Sequence, residues 1–357
     1  MNNLPTLDSD SSQRVFWADA SRAAAAVLGV LVHTFDPLFK ADQRSNISWW
    51  TVSFVVSMGH ACVPIYLMLS GSFLLPKAES TANFYRKRLK RLLIPLAAWS
   101  VIYSFWDRRS ISFFFHGSNV WQLISIPLQR PEHYHLWFMY VMIGLYIIMP
   151  FVGKIVLNSS GKELFVFLSL WLVVSSVLPI LSEYGWLRTG TGLEMMTGFT
   201  GYLVVGYAIG RLKLSKKMGL ALAAVFLINV SVTAFGTYYL SNRDNALNET
   251  FLLPLQPNVI LMSISLFALI KFFIGSRPPN RLLSFTVTRL RKTSYGIYLL
   301  HPLILESLYS GTYGIDLHHL TIEPMLVRPV VALVVLFSSY IFVVLLQKTP
   351  VVQKIVP

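Results

Sequence analysis

Met218–Leu240 reads MGLALAAVFLINVSVTAFGTYYL, a stretch without a single Asp, Glu, Lys or Arg. Crossing the apolar core of a bilayer as a helix takes about 20 such residues, so this block is long enough. Lys216 and Lys217 stand just before it, and Arg243 and Asp244 just after, so charge marks both its ends. Working outward, similar blocks run over Ala18–Leu38, Trp50–Leu75, Leu92–Trp106, His135–Val152, Leu164–Leu181, Glu194–Gly210, Pro254–Ile274, Thr293–Tyr309 and Met325–Leu346, the third and sixth in chain order being short. The chain has 357 residues, of which 54% are hydrophobic and 13% charged. A soluble domain carries nearer a quarter charged residues. The expected fold class is therefore all-α: a polytopic integral membrane helical bundle of about ten transmembrane helices, forming one domain over 1–357. Short tails are expected over 1–16 and 347–357.

The net charge of +14 would suggest nucleic acid in a soluble protein. In a membrane protein it points first to the basic loops that set orientation, so no nucleic acid is expected as a partner. Sorted by ten spans, with Lys271 and Arg328 assigned to the span ends they stand near, 21 of the 30 Lys and Arg fall on the side of the N-terminus and 8 on the other, and Arg22 within the first span is counted on neither. That excess places both termini in the cytoplasm. No cleavable signal peptide is expected, because the first residues lack a basic segment followed by a short apolar one. The single cysteine, Cys62, lies in an apolar block and reads as core, and one cysteine makes no disulfide within the chain.

Ionisable residues inside spans are costly and mark candidate sites. Arg22 and His33 are eleven residues apart, which on a helix is three turns plus about 20°, so both project from nearly one face, roughly 16 Å apart along the axis. In the second span, His60, Ser70 and Gly71 read either as helix packing or as site lining. The next loop carries Arg88 and Arg91. At a spacing of three they share a helical face and either grip phosphates or supply inner-side charge for orientation and anionic lipid. His135 and Trp137 open the fourth span, as interface-belt residues or as part of a site. The ninth span carries Ser294, His301 and Glu306, where His301 needs a partner in either role. No HExxH and no His pair at i, i+4 with a carboxylate nearby is present, so no metal and no tightly bound cofactor is expected. Phosphate-loop, dinucleotide and GxSxG fingerprints are also missing.

Five of these features occur in order: Arg22, ten residues, then His33; the Pro64 to Leu75 stretch with Ser70-Gly71; Arg88, two residues, then Arg91, followed by Pro95; His135-Leu-Trp-Phe; and Ser294-Tyr-Gly-Ile-Tyr-Leu-Leu-His301. Over nearly its whole length the chain resembles the acyltransferase-3 family of bacterial membrane O-acyltransferases, and most of all the branch that acetylates enterobacterial common antigen. The resemblance implies transfer of an acyl group, commonly acetyl from acetyl-CoA, onto a hydroxyl of a cell-surface or lipid-linked polysaccharide at the inner membrane. It also implies His33 as the catalytic histidine, Arg22 as its motif partner, and Arg88 and Arg91 as a cytoplasmic pair that binds the acyl-CoA donor. Partners would be acyl-CoA, the glycan acceptor and the bilayer. Some relatives are described instead as polysaccharide exporters, so an exporter or flippase remains the second reading. No extracytoplasmic hydrolase-like domain of the kind some members carry is expected beside the spans, so the reaction is expected to occur within the bundle.

The charge split yields a topology test. Reporter fusions after Lys217 and Lys292 should read cytoplasmic, and fusions near Asn245 and Gly311 extracytoplasmic. Two or more reversed reporters would overturn the span assignment.

Overall fold

The structure is a computed structural model that describes residues 11–40, 47–77, 79–108, 130–183, 198–275, 280–310 and 324–357. Among them all regular secondary structure is helical. In chain order the helices are α1 (Ser11–Lys40), α2 (Ile47–Gly59), α3 (Cys62–Leu74), α4 (Thr81–Arg108), α5 (Trp137–Asn158) and α6 (Gly161–Leu172). Then follow α7 (Leu178–Glu183), α8 (Thr200–Arg211), α9 (Lys216–Asp244), α10 (Pro257–Gly275), α11 (Arg281–Tyr309) and α12 (Pro324–Leu346). A wide π turn, Val173–Val177, joins α6 to α7.

Six helical stretches are long and apolar enough to cross a membrane: Trp49–Leu74, Trp137–Asn158, Gly161–Leu181, Lys216–Asp244, Thr250–Gly275 and Val327–Leu346. Their outer faces carry large apolar side chains in the open, among them Phe165, Leu220 and Leu333, as a lipid-facing surface does. The other expected spans correspond to α1, α4, α8 and α11. Three of these carry charge: Asp19 and Arg22 on α1, the basic run of α4, and Arg289, Arg291 and Lys292 on α11. The fourth, α8, has only 12 residues, and the start of its expected span at Glu194 lies outside the described residues.

Four expectations are revised. The segment from Phe84 to Leu92 is not a loop but the first half of α4, a helix of 28 residues; its Arg and Lys are good helix formers. The second span is one stretch but two helices, broken at His60 and Ala61. Pro64 has no N–H to give the His60 carbonyl, which frees that turn. Gly59 sits at the break because α1 leaves no space there: a Cβ on it would lie 2.7 Å from the Val32 side chain and 3.3 Å from the Leu28 carbonyl. The stretch 347–357 is no free tail either. Val352–Lys354 forms a 3-10 turn, Val356 is buried, and the Trp99 indole donates to the Ile355 carbonyl at 2.9 Å. At the other end, α1 begins at Ser11, inside the stretch expected as an N-terminal tail.

The chain divides into two compact units. Unit 1 comprises residues 1–73 and 162–294, and unit 2 residues 74–161 and 295–357. In unit 1, α3 and α8 cross backbone to backbone. A Cβ on Gly71 would overlap the Leu203 carbonyl, one on Gly206 the Met68 carbonyl, and the Ser72 hydroxyl donates to the Gly206 carbonyl at 2.6 Å. This is the close approach that small residues permit between membrane helices. Lys271 of α10 ends α8 by donating to the carbonyls of Ile209, Gly210 and Leu212 at 2.6–2.9 Å, satisfying acceptors that a helix C-terminus leaves open. Asn258 ties α10 to α9 through Thr233 and to the preceding turn through the Phe251 carbonyl, both at 2.7 Å. In unit 2, α4 and the second half of α11 run in the same direction. Tyr103 donates to the Leu299 carbonyl at 2.7 Å, and Trp106 to the Glu306 carboxylate at 2.8 Å.

Candidate active site

In unit 1 the site residues follow α1. Arg22 and His33 lie on one continuous helix, with Pro37 only after both. Both are half-buried. Gly29 stands between them, seven residues after Arg22 and four before His33, hence within about 20° of Arg22 and about 40° of His33 around the helix. A Cβ built on Gly29 meets no described atom within 4 Å. Among the described residues, the Arg22–Gly29–His33 face is therefore open at Gly29.

Arg22 is anchored at its own end. Its Nη1 lies 3.4 Å from Asp19 Oδ1, and Arg291 Nε of α11 lies 3.3 Å from Asp19 Oδ2. The Asp19 residue is only 8% exposed, and a carboxylate that dry is retained by charge pairing. The Tyr66 hydroxyl reaches toward the Arg22 carbonyl, 3.5 Å away, and contacts the Ser294 side chain. Ser294 also donates to the Arg291 carbonyl at 3.2 Å. Ser294 thus belongs to the Arg22 end of unit 1. Near the His33 end, Asp36 follows one turn later, paired with Lys40 at 2.9 Å. His60, at the α2–α3 break, faces Asp36 and hydrogen-bonds the Leu252 backbone. Gly71 is used up in the α3–α8 crossing, and Ser70 beside it is half-buried.

In unit 2, Arg88 and Arg91 lie in the first half of α4. Arg88 pairs with Glu79 at 3.0 Å and lies over the Phe84 ring, while Arg91 is exposed. At the far end of that helix, about 28 Å away at 1.5 Å per residue, a second polar cluster forms. His133 and His135 meet Nδ1 to Nδ1 at 2.9 Å, and His133 Nε2 lies 2.9 Å from Glu306 Oε1. Tyr103 stacks on His133 with ring centres 4.2 Å apart. The rings of His135 and His301 stand 5.8 Å apart edge to face, Tyr298 donates to the His135 carbonyl, and His301 Nδ1 donates to the Ile297 carbonyl. Trp137 starts α5 beside this cluster, half-buried.

The structure therefore groups Arg22 with Ser294, and His135 with His301 and Glu306. Sequence reasoning missed Arg291, counted among the loop charges, and gave no role to Asp19 or His133. Asp19 is three residues before Arg22 and Arg291 three before Ser294, so the helical face was a usable signal for both. The Asp19 bracket makes a stability prediction. Asp19→Asn should cost about 1–3 kcal/mol, because it removes the negative charge shared by two guanidiniums and one of the two oxygens they face. Arg22→Gln should cost less, since Arg291 still holds the carboxylate. Thermal unfolding in detergent measures both, and equal midpoints for the two variants would contradict the bracket.

No curated protein and no solved structure matches the chain. Its residues 15–346 match the family model described as an acyltransferase domain, which extends from α1 to the end of α12. With its apolar spanning helices and that match over nearly its full length, the chain belongs to the acyltransferase-3 family and is a membrane acyltransferase.

Proposed function

We propose that the chain is an O-acetyltransferase of the bacterial inner membrane that moves acetyl from acetyl-CoA to a hydroxyl of a surface or lipid-linked polysaccharide, as in the branch acting on enterobacterial common antigen. The observation that carries this reading is the open face of α1, with Arg22 and His33 about 16 Å apart and Gly29 leaving room between them. In the proposed arrangement the helices cross the bilayer ten times with both termini in the cytoplasm. Arg88 and Arg91 hold the donor's phosphates, and in unit 1 the Gly29 face leaves room for a thin acyl-bearing arm beside His33.

The chemistry then needs one base and one oxyanion site. Neutral His33 takes the proton from the acceptor hydroxyl as that oxygen attacks the thioester carbonyl. The tetrahedral oxyanion is held by fixed donors, for which His60 and Ser70 of unit 1 are the candidates. Collapse breaks the carbon–sulfur bond, the ester leaves on the glycan, and the departing thiolate takes the proton back from His33. Asp19 and Arg291 act through Arg22, fixing it at the entrance to the face.

Two-substrate kinetics in nanodiscs test the reading. His33→Ala should lower turnover by about 10²–10⁴. Gly29→Leu, which crowds the face from a position where an added Cβ meets no described atom within 4 Å, should also lower it. Arg88→Ala with Arg91→Ala should raise the KM for acyl-CoA and leave that for the acceptor nearly unchanged. Unchanged ester formation by His33→Ala, or no acyl-CoA consumption by the wild-type chain with its acceptor, would favour an exporter instead.

A further inference from the structure

Unit 2 brings together three potential metal ligands from separate segments: Asp107 in the last turn of α4, His133 in the turn before α5, and Glu306 near the end of α11. One donor atom of each lies within 4.8 Å of the other two. His133 Nε2 is 2.9 Å from Glu306 Oε1 and 3.8 Å from Asp107 Oδ1. Donor atoms sharing a tetrahedral cation at about 2.0–2.1 Å stand roughly 3.4 Å apart, and these two distances bracket that value. We propose that Asp107, His133 and Glu306 form a binding site for a divalent first-row cation of the zinc type.

The surroundings support this beyond the three donors. In metal sites the ligands are themselves held by outer hydrogen bonds. Here the Trp106 indole donates to Glu306 Oε2 at 2.8 Å, leaving Oε1 directed at His133. The second ring nitrogen of His133, Nδ1, is engaged by His135 at 2.9 Å, which leaves Nε2 toward the carboxylates. Tyr103 stacks on the imidazole and is itself tied to the Leu299 carbonyl. The ring is thus fixed on one face, at one nitrogen and by burial, with His133 only 7% exposed.

Charge and access agree with the assignment. One neutral imidazole and two carboxylates sum to two negative charges, which a divalent cation balances. An imidazole with two carboxylates suits zinc-like ions better than calcium or magnesium, which favour all-oxygen shells. Three protein ligands leave a position open to water or to a ligand oxygen. That position lies on the Asp107 side, where the side chain is 42% exposed, against 5% for His133. Linear spacing does not reveal such a site, because its three residues come from α4, the turn before α5 and the end of α11, which only the fold brings together.

The proposal is independent of acyl transfer, and its test reads the metal. The full chain, without a histidine tag, is purified in detergent, stripped with a chelator and titrated with Zn²⁺ in a calorimeter. Metal retained after gel filtration is counted by mass spectrometry. One zinc per chain is expected, unaffected by a large excess of Mg²⁺ or Ca²⁺ and retained by His33→Ala. His133→Ala and Glu306→Gln should abolish stoichiometric binding. Trp106→Phe, which removes the hydrogen bond to Glu306 while keeping an aromatic ring, should weaken it about 10–100-fold. No zinc on the wild-type chain would overturn the site. Wild-type affinity in the Asp107→Asn, Glu306→Gln and Trp106→Phe variants would do the same, even if His133→Ala did not fold.

Discussion

A carboxylate surrounded by apolar helices must be held by cations or it does not persist as a charge. Asp19 is held by two, one on its own helix and one on α11. Much of unit 1 is arranged around that bracket. Arg22 is fixed at one end of the α1 face, Ser294 is drawn to the same end, and Tyr66 of α3 closes on the Arg22 backbone. The tight α3–α8 crossing through Gly71 and Gly206 then braces the helix that carries Tyr66. Breaking a pair of this kind leaves an uncompensated charge, so its removal is felt more than its presence contributes.

The helices that carry the candidate residues are mostly those that make poor membrane spans. Asp19, Arg22 and His33 lie on α1, Arg88 and Arg91 on α4, and Ser294, His301 and Glu306 on α11, none of which is among the six strongly apolar stretches. The bland helices α6, α9 and α12 instead turn large apolar side chains outward. A membrane enzyme has to hold polar groups away from lipid, and here the two tasks fall to different helices. Within unit 2 the polar work is further divided along α4. Arginines occupy its first half, and the histidine cluster gathers at its end, about 28 Å on.

Much of this was legible in the sequence. Hydropathy is local, so Met218–Leu240 and the other strongly apolar blocks were found nearly to their ends. The shared face of Arg22 and His33 followed from helical spacing, and α1 runs unbroken through both residues. Other features were not local. Whether the basic run Phe84 to Leu92 is loop or helix depends on propensity, and charge alone was read as loop. Pro64 marked a weak turn, but the break at His60 also needs Gly59 pressed against α1. The fate of the last residues was invisible, since nothing in 347–357 indicates that Ile355 accepts from Trp99 of α4. Asp107, His133 and Glu306 are spread over some two hundred residues of chain, and Arg291 was hidden among orientation charges. Tertiary packing alone brings them to their partners.

The central claim is that this chain leaves an acyl ester on a glycan. The most direct measurement is mass spectrometry of surface polysaccharides from a strain lacking the chain, set beside the same strain carrying it. The account predicts glycan of normal length at the surface, lighter by one acyl group per modified repeat, with the mass restored on complementation. Unaltered acylation of a glycan that fails to reach the surface would contradict it.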